Sequence, residues 1–350
     1  MMTNIYPRTT LTSLLKPVLT AVFLVIAMPI HANEVEIAYP AIPEPVTSFG
    51  ATVHKGKVYY YGGHFGQAHR YSTADQANTL WELDLNTKQW TNLSQGPRLQ
   101  GLALVAYKDS LYRLGGFTAQ NAPGDEHDLW SQRSFTRFNL KTKQWTVLPD
   151  LPEGRSSFDA VVSKQGILYV VGGWQMQGEK EAVWHQTAWT FNLRDRTAQW
   201  KAVANFPYRR RAVSMAPTKH GILVVGGMQD TGETTPRTAF YDRRTNEWSD
   251  GPRLIGKSEL TGFGTASCNA GGKIIVSAYD GSIQTINSLG EFEVINTITD
   301  ARFFHRLLPI SDQQGLLIGG ASMESGKYES LETFTLPTKR QPSLRSKGNK

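Results

Sequence analysis

Paired glycines follow short apolar runs at a nearly constant interval in this chain of 350 residues. The first three steps between leading glycines, from Gly62 to Gly115, Gly172 and Gly226, are 53, 57 and 54 residues. A period of this length is typical of a repeat architecture, in which each unit packs against its neighbours. The pairs end the phrases VYYYGG, LYRLGG, LYVVGG, ILVVGG and GLLIGG, and IIVSAY at 274–279 is a degenerate copy.

A second marker runs with the glycine pairs. An apolar strand, a polar turn and a tryptophan occur together in LDLNTKQW, FNLKTKQW, FNLRDRTAQW and YDRRTNEW. Runs of five to eight β-formers between turn residues predict about four antiparallel strands per unit. Glycine lets neighbouring sheets approach closely and lets the backbone bend, and each tryptophan offers a large apolar surface to the next sheet. The tryptophans are Trp90, Trp145, Trp200 and Trp248.

These two markers resemble the kelch repeat of β-propellers, and the resemblance covers residues 33–336. It implies an all-β fold, a six-bladed kelch-type β-propeller with four antiparallel strands per blade. The last repeat lacks a tryptophan strand, while VEIAYPAIPEP at 35–45 stands alone before the first full unit. We therefore expect the N-terminal strand to close the last blade, which would remove two exposed sheet edges.

The ends of the chain differ from its middle. Residues 1–32 combine two basic residues with the apolar run 18–30 and a small residue, Ala32, which predicts a cleaved signal peptide and a periplasmic or secreted protein. The apolar run is too short to span a bilayer, so no transmembrane span is expected in the mature chain. Residues 337–350 are predicted to be a disordered basic tail.

The net charge of +7 lies in these ends. The signal and the tail hold seven of the 37 basic residues and none of the 30 acidic ones, which leaves residues 33–336 neutral. A nucleic-acid partner is therefore not expected. A single cysteine, Cys268, excludes an intramolecular disulfide, so the core must hold the fold by itself.

Arginines end the links between blades. In an antiparallel blade, the loop between the second and third strands lies on the same face as the link from the fourth strand to the next blade. One arginine in each of four links lies 17 residues before a glycine pair, which predicts equivalent positions at the channel mouth. In kelch proteins that bind acidic peptides, arginines at this place contact the ligand. The resemblance therefore implies ligand contacts for Arg98, Arg155, Arg209 and Arg302, with Arg210 as a neighbour, and predicts that Arg155→Ala weakens a ligand without changing stability.

The long loops on this face carry further candidates. Five of the seven histidines beyond the signal map to it, together with several tryptophans. Loops on a rigid scaffold often hold binding residues, and aromatic rings beside arginines suit a sugar or an acidic small molecule. The predicted ligand-binding residues of these loops are His64, His127, Trp130, Trp174, Trp184, His185 and His305.

Three functions are compatible with these residues. The preferred one is a binding module for a carbohydrate, an acidic small molecule or a protein or peptide partner, with no cofactor. The second is a sugar-modifying enzyme, because some exported kelch propellers are sialic acid mutarotases that need a carboxylate and an arginine. Arg155 with Glu126 or Glu179 could supply that pair.

The third function is a copper oxidase, because galactose oxidase also resembles a kelch propeller. Histidines and tyrosines are suitable ligand types, and His64, His69 and His127 leave zinc or copper binding open. That family joins a cysteine to a tyrosine at its copper site. Cys268, however, is predicted at the far end of a first strand, next to a turn on the opposite face, so a copper oxidase is disfavoured and no metal site is assigned.

Overall fold

A computed structural model describes residues 39–336 of the chain, and these residues are almost entirely strands and turns. The predicted signal peptide and basic tail lie outside the described residues. Within the described part, no helix is long and apolar enough to cross a bilayer.

The first two blades follow the predicted order of strands. The first blade is a sheet of four strands in sequential order, with its first strand innermost. The second has four core strands, β5, β6, β8 and β9, and a short strand, β7, from its long loop. The strands are β1 (Gly50–His54), β2 (Lys57–Tyr61), β3 (Thr79–Asp84), β4 (Gln89–Gln95), β5 (Gln100–Tyr107), β6 (Ser110–Ala119), β7 (Leu129–Ser131), β8 (Phe135–Asn139) and β9 (Gln144–Val147).

The third blade has the same four-stranded core, and its long loop forms the hairpin β12–β13. This hairpin pairs with β7 and so extends the sheet of the second blade to seven strands. The long loops of the second and third blades therefore form one continuous wall. The strands are β10 (Asp159–Val162), β11 (Ile167–Val171), β12 (Trp174–Gln177), β13 (Lys180–Trp184), β14 (Ala188–Asn192) and β15 (Lys201–Val203).

The fourth and fifth blades are also four-stranded, in the orders β17-β18-β20-β21 and β22-β23-β24-β25. A separate two-stranded ladder, β16 with β19, lies beside the fourth blade. The strands are β16 (Arg210–Arg211), β17 (Ser214–Pro217), β18 (Gly221–Val225), β19 (Met228–Gln229), β20 (Thr238–Asp242), β21 (Glu247–Asp250), β22 (Ala266–Ala270), β23 (Lys273–Ser277), β24 (Ser282–Ile286) and β25 (Phe292–Thr297).

The prediction of six four-stranded blades is wrong, because the described residues form five. The last repeat makes a sheet of only three strands, β26-β27-β30, with a small hairpin, β28–β29, in its loop. Its inner strand, β26, contacts both β22 and β1, so this sheet closes the ring. The strands are β26 (Arg306–Pro309), β27 (Gln314–Ile318), β28 (Ala321–Ser322), β29 (Gly326–Lys327) and β30 (Glu332–Thr335).

The described part of the predicted closing strand, residues 39–45, does not pair with the three-stranded sheet. Residues 39–45 are irregular, and three of them are prolines, which have no N–H to donate to a ladder. The rest of the predicted strand lies outside the described residues. Ile42 still donates its N–H to the Glu329 carbonyl, 2.9 Å away, so the segment covers the edge without extending the sheet.

The glycine pairs behave as predicted. Each of the five pairs has both residues at positive φ, where the backbone bends out of its strand. In the pair Gly172–Gly173, the Gly173 N–H donates to the Arg210 carbonyl in the next link, at 2.7 Å. A Cβ on Gly172 would lie 2.8 Å from a methyl carbon of Val213. Only a residue without a side chain permits this approach of two blades.

The tryptophan strands also behave as predicted. Each indole packs between sheets and donates its N–H to the segment that precedes it in the ring. Since every hydrophobic cluster joins two neighbouring sheets, the core lies between the sheets and not at the axis. The indole bonds are Trp90 to the Pro40 carbonyl at 3.4 Å, Trp145 to Ser94 Oγ at 3.0 Å, Trp200 to the Pro149 carbonyl at 2.9 Å and Trp248 to the Ala204 carbonyl at 2.8 Å.

Candidate functional site

A ring of backbone hydrogen bonds surrounds the axis on the face that carries the long loops. One residue at or just before the start of each inner strand adopts a left-handed conformation with φ between 52° and 63°. Along most of the ring, its N–H donates to the equivalent carbonyl of the neighbouring link, at 2.6 to 3.3 Å. This ring fixes where the side chains of the links can point. Its members are Ser48, Gly101, Ser157, Ala212, Gly264 and Phe304.

An ion pair crosses the channel next to this ring. Arg306 on β26 and Asp159 on β10 meet at 3.0 Å, and Arg306 also donates to the carbonyls of Phe49 and Leu102 at 2.9 and 3.2 Å. Asp159 accepts the Met215 N–H at 2.8 Å. Burial raises the pKa of Asp159 despite its cationic partner. Two cavities lie along the axis, one on each side of this ion pair, and Arg306 lines both. The ion pair therefore separates the two cavities.

Above the ion pair lies a cavity of about 360 Å³ at the axis, here called the axial cavity. Aromatic side chains from several sheets form much of its wall, and the cations Arg211 and Arg306 line it. No carboxylate among the described residues lines it. The aromatic residues are Phe49, Tyr71, Phe117, Phe158, Trp174, Phe263 and Phe304.

Four polar side chains in this wall have nitrogen atoms without a hydrogen-bond partner in the described structure: Gln100 Nε2, Trp174 Nε1, Arg211 Nε and both ring nitrogens of His305. Gln100 and His305 are almost fully buried, at 1% and 3% exposure. A buried polar group that lacks a partner costs about 1–3 kcal/mol. Each of these nitrogens is buried within the wall and closed to a water-sized group, so they make the wall polar without themselves opening into the cavity.

Arg211 supplies the free positive charge of the axial cavity. Its guanidinium carbon lies 4.3 Å from the ring centre of Trp174 and 5.7 Å from that of Trp184. One terminal nitrogen contacts the sulfur of Met228 at 3.0 Å, and no carboxylate of the described chain pairs with it. Burial lowers the pKa of Arg211, yet an arginine remains charged at neutral pH. The two indoles hold this cation at the cavity wall.

His305 is neutral in the folded protein. Burial, followed by the charges of Arg302 and Arg306, lowers the pKa of His305 to about 3. The side chain therefore presents one N–H donor and one acceptor to its surroundings at neutral pH. His305 is one of the predicted ligand-binding residues, and it lines the axial cavity.

The buried arginines of the links have structural contacts, which corrects their predicted role. Arg155 is fully buried and donates to the Gly172 carbonyl at 2.7 Å, to both oxygens of Thr187 and to Glu153. Arg302 bonds in the same way to the carbonyls of Gly319 and Ser330 and to Glu332. These guanidinium groups hold the long loop of their own sheet against the link, and neither residue lines the axial cavity.

The 17-residue spacing does not identify equivalent positions in every link. The carbonyls that accept from the glycine pairs belong to Leu99, Arg155 and Arg210, so Arg98 and Arg209 lie one residue too early. Arg210 is the buried counterpart of Arg155 and donates to the Arg237 carbonyl at 3.1 Å. Arg98 and Arg209 are exposed; Arg98 bonds the Gln76 carbonyl, and Arg209 lies 3.7 Å from Asp230.

The predicted loop residues divide between the cavity and its surroundings. Trp174 lines the axial cavity, and Trp184 stacks beside it with ring centres 5.3 Å apart. His64 and His127 pack against Tyr71, with ring centres 5.2 and 5.3 Å away.

Two further loop residues lie away from the axial cavity. Trp130 is 36% exposed on the wall formed by β7. His185 is buried and bonds the Gly154 carbonyl at 2.9 Å, and burial followed by the charge of Arg155 lowers its pKa to about 4. His185 therefore belongs to the structural contacts of Arg155.

The residues predicted for a sugar-modifying enzyme do not lie together in either cavity. Glu126 and Glu179 are exposed and line neither the axial cavity nor the larger cavity beside it, and Arg155 pairs with Glu153 at 2.7 Å. Among residues 39–336 there is no cluster of three or more histidine, cysteine or carboxylate side chains that could hold a metal. Burial raises the pKa of the Cys268 thiol to about 12, so it is held as an unreactive thiol.

Sequence reasoning did not single out Arg211, Gln100, Phe263 and Phe304. Arg211 and Gln100 directly precede ring residues, and their backbones pair with the residues that follow glycine pairs. In each case the residue just before it has the carbonyl that accepts from a glycine pair, Leu99 before Gln100 and Arg210 before Arg211. Counting from the arginines of the links does not find these positions.

The geometry defines a kelch-type β-propeller with a ligand-sized cavity at one mouth. The profile of the family "Attractin/LZTR1 beta-propeller" matches residues 25–285, which is most of the chain. The chain therefore belongs to this β-propeller family.

Several curated proteins are similar in sequence. Kelch-like protein terF of Aspergillus terreus is 30% identical over 216 residues, which are 60% of this chain and 45% of that protein. Kelch-like protein 40 of Xenopus laevis is 33% identical over 104 residues, covering 28% of this chain and 15% of that protein. The chain thus spans less than half the length of these two relatives.

A solved structure titled "Structure of YjhT" is similar in fold. It superposes with a TM-score of 0.68 at 16% sequence identity, and the match covers 86% of this chain and 100% of that one. At this identity the likeness concerns the fold alone.

Proposed function

We propose that this propeller binds a small molecule with a carboxylate, such as an acidic sugar, in the axial cavity. The observation that carries the proposal is Arg211, a cation without an ion-pair partner in the described chain, at a wall that contains no carboxylate. A ligand carboxylate would accept from its guanidinium in a charge-assisted bond, the stronger class of hydrogen bond.

The other walls of the cavity support the same class of ligand. Gln100, Trp174 and His305 add polar side chains to this wall. The aromatic rings suit the apolar face of a sugar or a similar small ring. Since no carboxylate lines the cavity, the arginine–carboxylate chemistry of a mutarotase has no support here, and we favour binding over catalysis.

A thermal-shift and calorimetric screen of the purified chain would test this proposal. The probes are N-acetylneuraminic acid and glucuronic acid, with glucose as the neutral control. A ligand that binds only the folded state at a hundredfold excess over its Kd raises stability by about 2.7 kcal/mol. We expect a shift with an acidic sugar that disappears in Arg211→Gln and persists in Arg209→Gln, whose arginine is exposed nearby. An acidic-sugar shift that survives Arg211→Gln would contradict the proposed site.

The export predicted from residues 1–32 is a separate proposal. Its support is the order of a basic start, an apolar run and a small residue. N-terminal sequencing of the mature protein would find Asn33 as the first residue if cleavage follows Ala32. An intact N-terminus on protein that stays in the cytosol would contradict it.

A further inference from the structure

A second, larger cavity opens beside the axial cavity, between the first blade and the three-stranded sheet. It has a volume of about 1110 Å³ and is here called the side cavity. The two cavities share six lining residues, so one ligand can occupy both. The shared residues are Ser48, His69, Tyr71, Gln100, Phe263 and Phe304.

The charges of the side cavity are opposite in sign to those of the axial cavity. Glu44, Asp75 and Glu329 line it, against one ammonium group on Lys327. None of the three carboxylates forms an ion pair within the described chain. Lys327 instead donates to the Gly66 carbonyl, and burial lowers its pKa. The side cavity therefore favours a positive group at the end opposite to Arg211.

Aromatic faces in the side cavity suit the same positive group. Phe263, Phe303 and Phe304 pack against one another with ring centres 4.9 to 5.3 Å apart, and all three line the cavity. An ammonium group near such rings is attracted by the negative faces of their π systems.

The wall between the two cavities is neutral and polar. Gln100 lines both cavities and is 1% exposed, and the described structure gives its Nε2 neither a hydrogen-bond partner nor an opening to either cavity. A ligand that reaches from one cavity into the other therefore passes a neutral amide between its two charged ends.

We infer that the ligand is an elongated zwitterion, with a carboxylate at Arg211 and an ammonium group among the phenylalanines and carboxylates of the side cavity. A short peptide with both termini free has this chemistry. The inference rests on the proposed function for its carboxylate end and adds the contact of its amine end.

Calorimetry with alanine peptides would test the inference. The probes are di-, tri- and tetra-alanine, which vary the separation of the charges, and each is compared with its N-acetyl form, which keeps only the carboxylate. At the best length we expect the free peptide to bind about tenfold more tightly than its N-acetyl form, the order expected for one ammonium group against aromatic faces and carboxylates.

Two variants separate the ends of the site. The double variant Glu44→Gln, Glu329→Gln should reduce the preference for the free amine to about twofold while the N-acetyl peptide binds unchanged, since screened charges of this kind contribute about 1 kcal/mol. Glu324→Gln, an exposed residue of the neighbouring loop that does not line the side cavity, is the matched control and should keep the full preference.

The outcomes distinguish the two proposals. Equal affinity of free and N-acetyl peptides, both weakened by Arg211→Gln, would overturn the zwitterion inference and leave the carboxylate site in place. Binding that ignores Arg211→Gln would overturn both. Retention of the amine preference in the double variant would also overturn the inference, because the side-cavity carboxylates would then not recognise the amine.

Discussion

Arg155 and Arg211 occupy adjacent positions of the same kind of link and have opposite roles. The side chain of Arg155 turns into its own blade and is fully buried among carbonyl oxygens and Glu153. Arg211 lies one position further along its link and turns to the axial cavity, between two indoles. The comparison teaches that a shift of one residue decides whether an arginine holds a loop or faces a ligand.

The strongest way to break this comparison is Arg155→Ala. Removing the buried cation takes a donor from the Gly172 and Thr187 carbonyls and leaves Glu153 without its positive partner, so we expect a loss of about 3–5 kcal/mol in the free energy of unfolding. Urea denaturation followed by tryptophan fluorescence would measure it. Arg209→Ala, at an exposed arginine, is the control and should change stability by less than about 0.5 kcal/mol. Equal, small effects of both substitutions would show that burial of Arg155 is not structural.

Gly172→Ala tests the carbonyl side of the Arg155 contact. Gly172 has φ +76°, and a Cβ would lie 2.8 Å from Val213. Backbone strain and overpacking together should cost about 2–3 kcal/mol in the free energy of unfolding. Gly232→Ala isolates the strain, because Gly232 has φ +88° and no atom within 4 Å of the added Cβ, and it should cost about 1 kcal/mol. A loss at Gly172 no larger than at Gly232 would contradict the close packing of the blades.

His305 extends the comparison to pH. Its folded pKa of about 3 lies below the ordinary value of 6.5, so between these pH values the unfolded chain takes up a proton that the folded chain does not. The stability that depends on a neutral His305, measured as the free energy of unfolding, is therefore fully present above pH 6.5. It is lost as the pH falls from 6.5 towards 3. His305→Leu should reduce the acid slope of stability by up to about 1.4 kcal/mol per pH unit. Parallel stability curves for the two proteins between pH 7 and pH 5 would contradict a buried neutral histidine.

Arg211→Gln should destabilise the protein much less than Arg155→Ala or Gly172→Ala. The guanidinium has no ion pair to lose within the described chain, so we expect a change below about 1 kcal/mol by urea denaturation. The same variant should lose carboxylate binding in calorimetry. Destabilisation comparable to that of Arg155→Ala would contradict the different roles of the two arginines, because Arg211 would then also be structural.

The blades and their contacts follow from local sequence. Glycine pairs and tryptophan strands occur where two blades pack closely. Their positions in the sequence therefore predict the β-sheets and the contacts between them. The closing strand was not predictable in the same way. Its candidate segment contains Pro40, Pro43 and Pro45, and their missing N–H groups outweigh the advantage of covering an edge.

The candidate site could be predicted only in part. Trp174 and His305 belong to the predicted residues and line the axial cavity. Arg211 and Gln100 were missed because the stretch from the ring residue to the next glycine pair differs by one residue between blades, from 14 residues between Gly101 and Gly115 to 15 between Ser157 and Gly172. The direction of a side chain depends on the hydrogen bond that its backbone makes. Spacing along the chain does not report that bond.

The Arg306–Asp159 pair has a consequence for the order of assembly. Arg306 belongs to the last sheet to leave the ribosome, yet it bonds to Phe49, Leu102 and Asp159 in the first three blades. Before this residue is made, Asp159 is a carboxylate without its cation in a ring that is still open. The centre of the propeller is therefore completed by the C-terminal part of the chain, and truncation there would affect the blades made first.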